Sequence, residues 1–158
     1  MYEVRFLDSI EVSVSIPIDD EGYSLLKCPT CGTFFKLMPN DVKDEGVLEI
    51  FCPSCGLAGD NYCTEDVIEL GMKMLKNEAM DSFYEQLKKL ERKTKNGLIS
   101  FKAGQKPKRE IIEPLRSGIE ALETTKFPCC NRSAKIKPLL KMTGCYCPFC
   151  GVKNYELE

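Results

Sequence analysis

Four cysteines in the first third of the chain constrain its fold more than any other feature. They occur as Cys28-Pro-Thr-Cys31-Gly32 and Cys52-Pro-Ser-Cys55-Gly56, with 20 residues between the two turns. Two such pairs supply four thiolates at the spacing that a tetrahedral Zn²⁺ site requires. The chain contains no histidine, so a zinc site built on these residues is all-cysteine. A module this small buries too little apolar surface to fold alone, and the metal must therefore contribute to its stability.

A second, less regular cysteine cluster lies near the C-terminus. Cys147-Pro-Phe-Cys150-Gly151 repeats the same turn, but the first half of the cluster has adjacent cysteines, Cys129 and Cys130, followed by Asn131. Asn is the residue best able to replace Gly at a positive φ, so Asn131 suits the turn. Five thiols compete for four positions. We predict Cys129, Cys130, Cys147 and Cys150 as the ligands, with Cys145 as an alternative to Cys129 and a metal-free cluster also open. The predicted cofactor is two Zn²⁺ per chain.

The spacing of these elements resembles a known superfamily. Apolar segments at 25–27, 33–37 and 47–51 flank the first two cysteine turns, in the order strand, turn, strand, turn, strand, turn. This layout resembles the zinc-ribbon superfamily over about 40 residues, and the C-terminal cluster resembles it too. The resemblance implies a metal-stabilised fold but is nearly silent on function, because ribbons serve many unrelated roles.

The sequence shows neither a secretory signal nor a membrane-spanning segment, and this bears on the cellular compartment. Its first eight residues have neither the basic start nor the apolar stretch of a secretory signal, and no apolar run approaches the roughly 18–20 residues that span a bilayer. We therefore expect a cytoplasmic protein with no membrane partner. Ten cysteines would otherwise suit a disulfide framework, but in a reducing cytosol clustered thiols are usually metal ligands.

The remaining segments predict a hairpin, a long helix and an extended connector. Apolar and polar residues alternate from Ile10 to Ile18, which indicates a strand that pairs with residues 2–7 and ends near Pro17. Apolar residues then recur at three- and four-residue steps over 64–95, from Thr64 as N-cap to Asn96-Gly97 as C-cap. This helix would extend roughly 48 Å, either as one arm or kinked near Gly71 or Asn77.

The predicted fold class is α+β, with small β/zinc-ribbon modules at both ends joined by a long amphipathic helix. The predicted domains are 1–60 (N-terminal β-hairpin plus zinc ribbon), 61–97 (long helix), 98–125 (extended connector with a basic loop) and 126–158 (C-terminal zinc ribbon).

Charge is divided unevenly between the two halves of the chain. Residues 1–70 carry 4 Lys/Arg and 14 Asp/Glu, whereas residues 71–158 carry 18 Lys/Arg and 10 Asp/Glu. Such asymmetry indicates either a nucleic-acid or acidic-partner surface on one half, or a solvated, highly charged helix whose halves neutralise each other on folding. Tyr146 and Phe149 could add stacking surfaces or simply cover the metal. The candidate nucleic-acid-binding residues are Lys106, Lys108, Arg109, Arg132, Lys135, Lys137 and Lys141.

These features favour binding over catalysis. A four-thiolate zinc leaves no open coordination position, and the paired, Gly-terminated turns do not match the single C-x-x-C of a thioredoxin-like site. We expect a non-catalytic protein whose basic half contacts nucleic acid and whose acidic half docks a protein. The alternative is a pure protein–protein adaptor or small subunit of a larger complex. Cys63 stands apart as either a buried apolar residue or, with a lowered pKa, a reactive thiol.

Overall fold

The computed structural model describes residues 2–6, 10–95, 101–116 and 121–155, with residues 2–6 described as backbone only. Contacts divide the chain into two compact units. The first, which we call the helical unit, comprises Met1–Ser15 and Asp66–Leu115, and the second, the cysteine unit, comprises Ile16–Glu65 and Arg116–Glu158. This division follows contacts rather than chain order, so the predicted segments 1–60 and 98–125 are each shared between the two units.

The protein contains both helix and sheet, as predicted. In chain order the elements are β1 (Tyr2–Phe6), β2 (Ile10–Val14), β3 (Ser24–Lys27), β4 (Phe34–Leu37), α1 (Pro39–Val42), α2 (Glu65–Thr94), β5 (Glu123–Phe127), β6 (Arg132–Ile136), α3 (Pro138–Thr143), β7 (Cys145–Tyr146) and β8 (Lys153–Asn154). The predicted strand at 47–51 is not formed, since Phe51 makes only a single bridge to Ala58.

The helical unit begins with an antiparallel hairpin of β1 and β2. In β2, Val12 and Val14 are buried while Glu11 and Ser13 are exposed, which confirms the predicted alternation at those positions. The strand ends at Val14, short of its predicted end near Pro17. The turn that the sequence suggests at residues 8–9, between the two strands, lies outside the described residues.

Helix α2 spans Glu65–Thr94, in agreement with the predicted helix over 64–95. It is continuous through both positions at which a kink was considered. At Gly71, an added Cβ would lie 3.5 Å from Val14 Cγ2, an ordinary van der Waals distance, so the helix lies against the hairpin here and the site would accept a methyl group. Asn77 is 5% exposed and bonds the backbone of Glu110 twice: its Nδ2 donates to the carbonyl oxygen (3.0 Å), and its Oδ1 accepts from the N–H (2.8 Å). The predicted C-cap at 96–97 lies outside the described residues.

The segment 101–116 has no regular secondary structure and returns along α2. The N–H of Phe101 donates to the hydroxyl of Thr94 (3.3 Å), and further along the segment Glu110 reaches Asn77. Successive contacts thus proceed from the end of the helix toward its middle. The sequence of residues 98–102 also suggests a strand, but residues 101–102 form none, and residues 98–100 lie outside the described part of the chain.

The cysteine unit is built on one four-stranded antiparallel sheet in the order β3-β4-β6-β5. The N-terminal cysteine module supplies β3 and β4, the C-terminal module supplies β5 and β6, and the two hairpins meet where Lys36 faces Lys135. The two modules, which the sequence places at opposite ends of the chain, therefore share one sheet. They also share one core, formed by Leu26, Cys28, Phe35, Leu37, Cys52, Tyr62, Phe127, Ala134, Ile136, Cys145, Cys147 and Phe149.

Candidate metal centres and binding surfaces

The N-terminal cysteines converge on one point. The sulfur atoms of Cys28, Cys31, Cys52 and Cys55 all lie within 4.8 Å of one another. Cys28 and Cys55 are 3.8 Å apart, and Cys31 and Cys52 are 3.5 Å apart. A regular tetrahedron with Zn–S bonds of about 2.3 Å has sulfur–sulfur distances of about 3.8 Å. The four sulfurs therefore match the coordination shell of a single Zn²⁺.

Backbone geometry explains why a glycine follows the second cysteine of each C-P-x-C turn. In the first turn the N–H of Gly32 donates to the carbonyl of Cys28 (3.0 Å), with Gly32 at φ +71°. In the second, Gly56 at φ +72° donates in the same way to Cys52 (2.9 Å). Glycine adopts this left-handed conformation without the strain that a Cβ adds. The tight turn also points the N–H of Ser54 at the sulfur of Cys52 (3.4 Å).

The C-terminal cluster forms a second group of the same kind. The sulfurs of Cys129, Cys130, Cys147 and Cys150 lie within 4.8 Å of one another, which is the predicted ligand set. Cys130 and Cys147 are 3.3 Å apart, and Cys129 and Cys150 are 3.4 Å apart. Cys145, the alternative ligand, lies outside this group and is fully buried in the core. The chain therefore has two four-thiol groups, consistent with two zinc sites.

The irregular first half of this cluster, residues 127–131, folds into the same turn as residues 28–32, but its first sulfur comes from the third position of the turn instead of the first. The N–H of Asn131 donates to the carbonyl of Phe127 (2.8 Å), as Gly32 does to Cys28 in the N-terminal module. Asn131 has φ +58° and is the only non-glycine residue with a positive φ in the described part of the chain. Phe127 thus takes the place of the first cysteine and fills the core, while Cys129, inside the turn, supplies the missing sulfur.

The thiols differ in how readily they ionise without metal. Burial raises the pKa of Cys52 and of Cys147 far above the usual value. Burial acts in the same direction on Cys31, but hydrogen bonds with the hydroxyl and N–H of Thr33 outweigh it and lower the pKa to about 6. Burial and then the charge of Cys129 raise the pKa of Cys145 to about 11. Because zinc binds thiolates, metal binding must release protons from the buried ligands.

The second turns of the two modules dock reciprocally. The N–H of Phe51 donates to the carbonyl of Pro148 (2.9 Å), and the N–H of Tyr146 donates to the carbonyl of Pro53 (3.0 Å). Each ring then covers the glycine of the opposite turn. A Cβ on Gly56 would lie 2.8 Å from the ring of Tyr146, and one on Gly151 would lie 3.2 Å from the ring of Phe51. Tyr146 is therefore engaged within the unit.

Phe149, the other aromatic residue considered as a stacking surface, is 6% exposed. The guanidinium of Arg132 lies over its ring, 5.4 Å from the centroid. Phe149 therefore belongs to the buried core and offers no exposed stacking surface.

One carboxylate holds both halves of the sheet. Oδ2 of Asp19 accepts from Lys36 (3.1 Å) and from Lys135 (2.8 Å), and Lys135 also pairs with Glu21 (2.9 Å). Burial alone would raise the pKa of Asp19, but the bonds from Lys135, the N–H of Tyr23 and Lys36 hold it well below its usual range. No sequence pattern predicted this cluster, because the acidic segment at 19–21 and its partner Lys135 are more than 110 positions apart.

Tyr62, which no sequence pattern singled out, joins several parts of the N-terminal module. Its hydroxyl donates to the carbonyl of Ile50 (2.7 Å), and its ring packs edge-on against Phe35 at 5.6 Å between centroids. Burial, followed by the charges of nearby cysteines, raises its pKa to about 12. Cys63, the next residue, is half-buried, and burial raises its pKa. The lowered pKa on which a reactive thiol would depend is not found.

The seven candidate nucleic-acid residues are divided between the two units. In the helical unit, Lys106 and Arg109 both pair with Asp81, while Lys108 is exposed. In the cysteine unit, Lys135 is paired as described above and Lys137 is exposed at the start of α3. Among the described residues, the structure gives neither Lys108 nor Lys137 an ion pair.

The other two candidates, Arg132 and Lys141, also meet acidic residues. Arg132 pairs with Asp44 (3.1 Å), and Lys141 approaches Glu123 (3.6 Å). Arg132 and Lys135 thus pair with acidic residues of the first 70 positions, whereas Asp81 and Glu123 lie in the same half of the chain as the basic residues they meet.

A basic cleft that the sequence analysis did not propose lies in the helical unit. Its walls come from the last turns of α2 and the start of the returning segment, and its lining is Lys88, Glu91, Arg92, Lys95, Phe101 and Lys102. The available signal was the run of Lys and Arg at the end of the helix, which the sequence reasoning took as a mark of the helix C-terminus.

The helical unit also exposes large apolar side chains along α2. Of the 30 residues of this helix, only Val67 and Asn77 are buried. The exposed apolar residues are Ile68 (46%), Met72 (54%), Phe83 (62%) and Leu90 (48%). Beside Met72 lies an open groove of about 520 Å³, lined by Ile10, Glu69, Met72, Lys73, Leu75, Lys76, Ala79 and Glu110.

Comparison of the chain with models of protein families, with curated proteins and with solved structures finds no match. None of the described helices is long and apolar enough to cross a membrane.

Proposed function

We propose that this protein is a non-catalytic, zinc-binding interaction protein, with two zinc-ribbon modules as its scaffold and the exposed apolar face of α2 as its docking surface for another protein. The observation that carries this proposal is the low burial of α2. A helix of 30 residues with only two buried positions gains little stability from its own unit, because packing of an apolar face supplies most helix stability in proteins. The proposal accounts for the exposed apolar residues.

The metal centres support a structural role. Each group offers four thiolates, and a zinc ion that binds all four has no position left for water or substrate. Three of the eight sulfurs belong to buried cysteines of the shared core, namely Cys28, Cys52 and Cys147. Zinc at these positions would hold together the two turns of each module against the shared core, which supports a structural role.

The composition of the α2 face supports docking. Apolar and aromatic side chains that stay exposed on a soluble chain mark interaction surfaces when they lie together. Phe83 and Leu90 are both about half exposed or more, and they lie seven positions apart on one side of the helix. Charged residues border the same face, which is the usual arrangement of an apolar centre and a polar rim.

The test is affinity purification of the full-length, zinc-loaded protein from its native host, with proteins quantified by mass spectrometry. We expect a partner to be retained by the wild type and lost at least about tenfold with Phe83→Glu, because a charge in an apolar interface is unpaired on binding. The matched control is Leu139→Glu, since Leu139 is similarly exposed (66%) but lies in the cysteine unit. An identical set of partners for all three proteins would refute this docking surface.

Nucleic-acid binding is a second candidate, supported by the basic cleft. Lys88, Arg92 and Lys102 could contact phosphates while Phe101, 36% exposed, offers a stacking face. We expect oligonucleotide affinity to fall steeply between about 50 and 200 mM salt, and to fall further with Arg92→Ala and Lys102→Ala together. Lys153→Ala in the cysteine unit is the control. A lack of binding to RNA and DNA at low salt would exclude this function.

A further inference from the structure

Four apolar residues of α2 are arranged symmetrically around Ala79, while exposed Met72 on the same side has the polar Gln86 at its mirror position. Ile68 and Leu90 each lie eleven positions from Ala79, and Leu75 and Phe83 each lie four positions from it. At 3.6 residues per turn, all five fall within about 40° of one line along the helix. Large side chains thus flank a small central one with equal spacing in both directions. Such a stripe is complementary to its own copy when that copy runs in the opposite direction.

The distribution of charge along α2 also favours antiparallel pairing of two copies. Residues 65–69 contain three acidic residues and no basic one, whereas residues 88–95 contain five basic residues and one acidic residue. Parallel pairing of two such helices would place like charges together at both ends. Antiparallel pairing places the acidic first turns of each copy beside the basic last turns of the other. Charges that flank an apolar seam are known to set the orientation of helix pairs.

The area available is adequate for a reversible dimer. A helix of 30 residues is about 45 Å long, and one face about 10 Å wide would bury on the order of 450 Å² on each copy. The total of about 900 Å² lies near the lower limit for specific association. We therefore expect micromolar rather than nanomolar affinity.

We infer that α2 pairs with α2 of a second copy of this chain, antiparallel and with Ala79 facing Ala79. The inference rests on the proposed function and deepens it by naming the docking partner. Ile68 of one copy then packs near Leu90 of the other, and Leu75 packs near Phe83. Ala79 allows the two backbones to approach at the centre, where a larger side chain would hold them apart.

The test is the mass of the full-length, zinc-loaded protein by light scattering, over about 1 to 200 µM and at about 50 and 500 mM salt. We expect a concentration-dependent dimer whose affinity falls several-fold at the higher salt, because the attraction between opposite helix ends is screened. Phe83→Glu should weaken the dimer at least about tenfold. Leu90→Ser, a milder change, should weaken it less. Leu139→Glu, at 66% exposure in the cysteine unit, should leave it unchanged.

Three outcomes would overturn the inference. They are a monomer at every concentration, a dimer that strengthens with salt, and a dimer unaffected by both Phe83→Glu and Leu90→Ser. The proposed function is judged separately. A monomeric protein whose heterologous partner is lost with Phe83→Glu refutes self-pairing and leaves the docking surface standing. A monomeric protein that retains its partners unchanged in the Phe83→Glu variant refutes both self-pairing and the docking surface.

Discussion

Lys36 and Lys135 face each other across the centre of the sheet and donate to the same oxygen of Asp19. Like charges on directly opposed strand residues are normally destabilising. Here the shared carboxylate offsets that repulsion and joins one lysine from each cysteine module. The acidic turn at 19–22 therefore holds together two modules that are separated by nearly half of the chain.

The first prediction concerns this turn. Replacing Asp19 with Asn leaves two largely buried ammonium groups without their common partner, and we expect a loss of about 3 kcal/mol at pH 7. The folded pKa of Asp19 is lowered, so its contribution is fully present above the unfolded value of 3.8 and is lost as pH falls toward the folded pKa. The difference in unfolding free energy between wild type and variant, measured by urea denaturation, should be constant from about pH 7 to 5 and shrink below about pH 4. A difference that grows on acidification would contradict this account.

The second prediction concerns the contact between Gly56 and Tyr146. Gly56→Ala adds the cost of a positive φ to a clash with the Tyr146 ring at 2.8 Å, and we expect a loss of about 3 kcal/mol. Gly22→Ala is the matched control. Gly22 has φ +88° but nothing lies within 4 Å of its Cβ position, so it should lose only about 1 kcal/mol. Equal losses in thermal or chemical unfolding would mean that the ring relaxes freely.

The third prediction concerns metal stoichiometry. Native mass spectrometry should find two Zn²⁺ per wild-type chain, because two separate groups of four sulfurs are present. Cys147→Ser should reduce the count to one, whereas Cys145→Ser should retain two since Cys145 lies outside the group. Loss of one zinc with Cys145→Ser but not with Cys129→Ser would reverse the ligand assignment.

The fourth prediction concerns Asn77. Asn77→Ala leaves the N–H and carbonyl of Glu110 without their partners, at a cost of about 2 kcal/mol. We expect hydrogen exchange to accelerate in the segment 101–116, because these bonds fasten it to α2. Glu78→Ala, an exposed change at the next position of the helix, should leave exchange unaltered. Equal protection in both variants would show that other contacts hold the segment.

Local chemistry made several features predictable. The C-P-x-C-G turns identified the N-terminal ligands because each turn carries its own geometry, and Asn131 was correctly expected to replace a glycine because φ preference is a property of the residue itself. The bounds of α2 followed from apolar periodicity over many turns. The alternation of Val12 and Val14 with exposed neighbours was equally local.

Long-range pairing decided the rest. The sequence by itself determined two cysteine modules, their ligand types and one long helix, because spacing and periodicity act over a few residues. Only the tertiary structure placed β4 beside β6, and with it the burial of Lys135 against Asp19. No local pattern encodes which hairpin edge meets which, since that choice depends on the complementary surfaces of both modules. The fully buried Phe127, and the position of Cys145 outside the metal site, follow from that shared core rather than from the spacing of the cysteines.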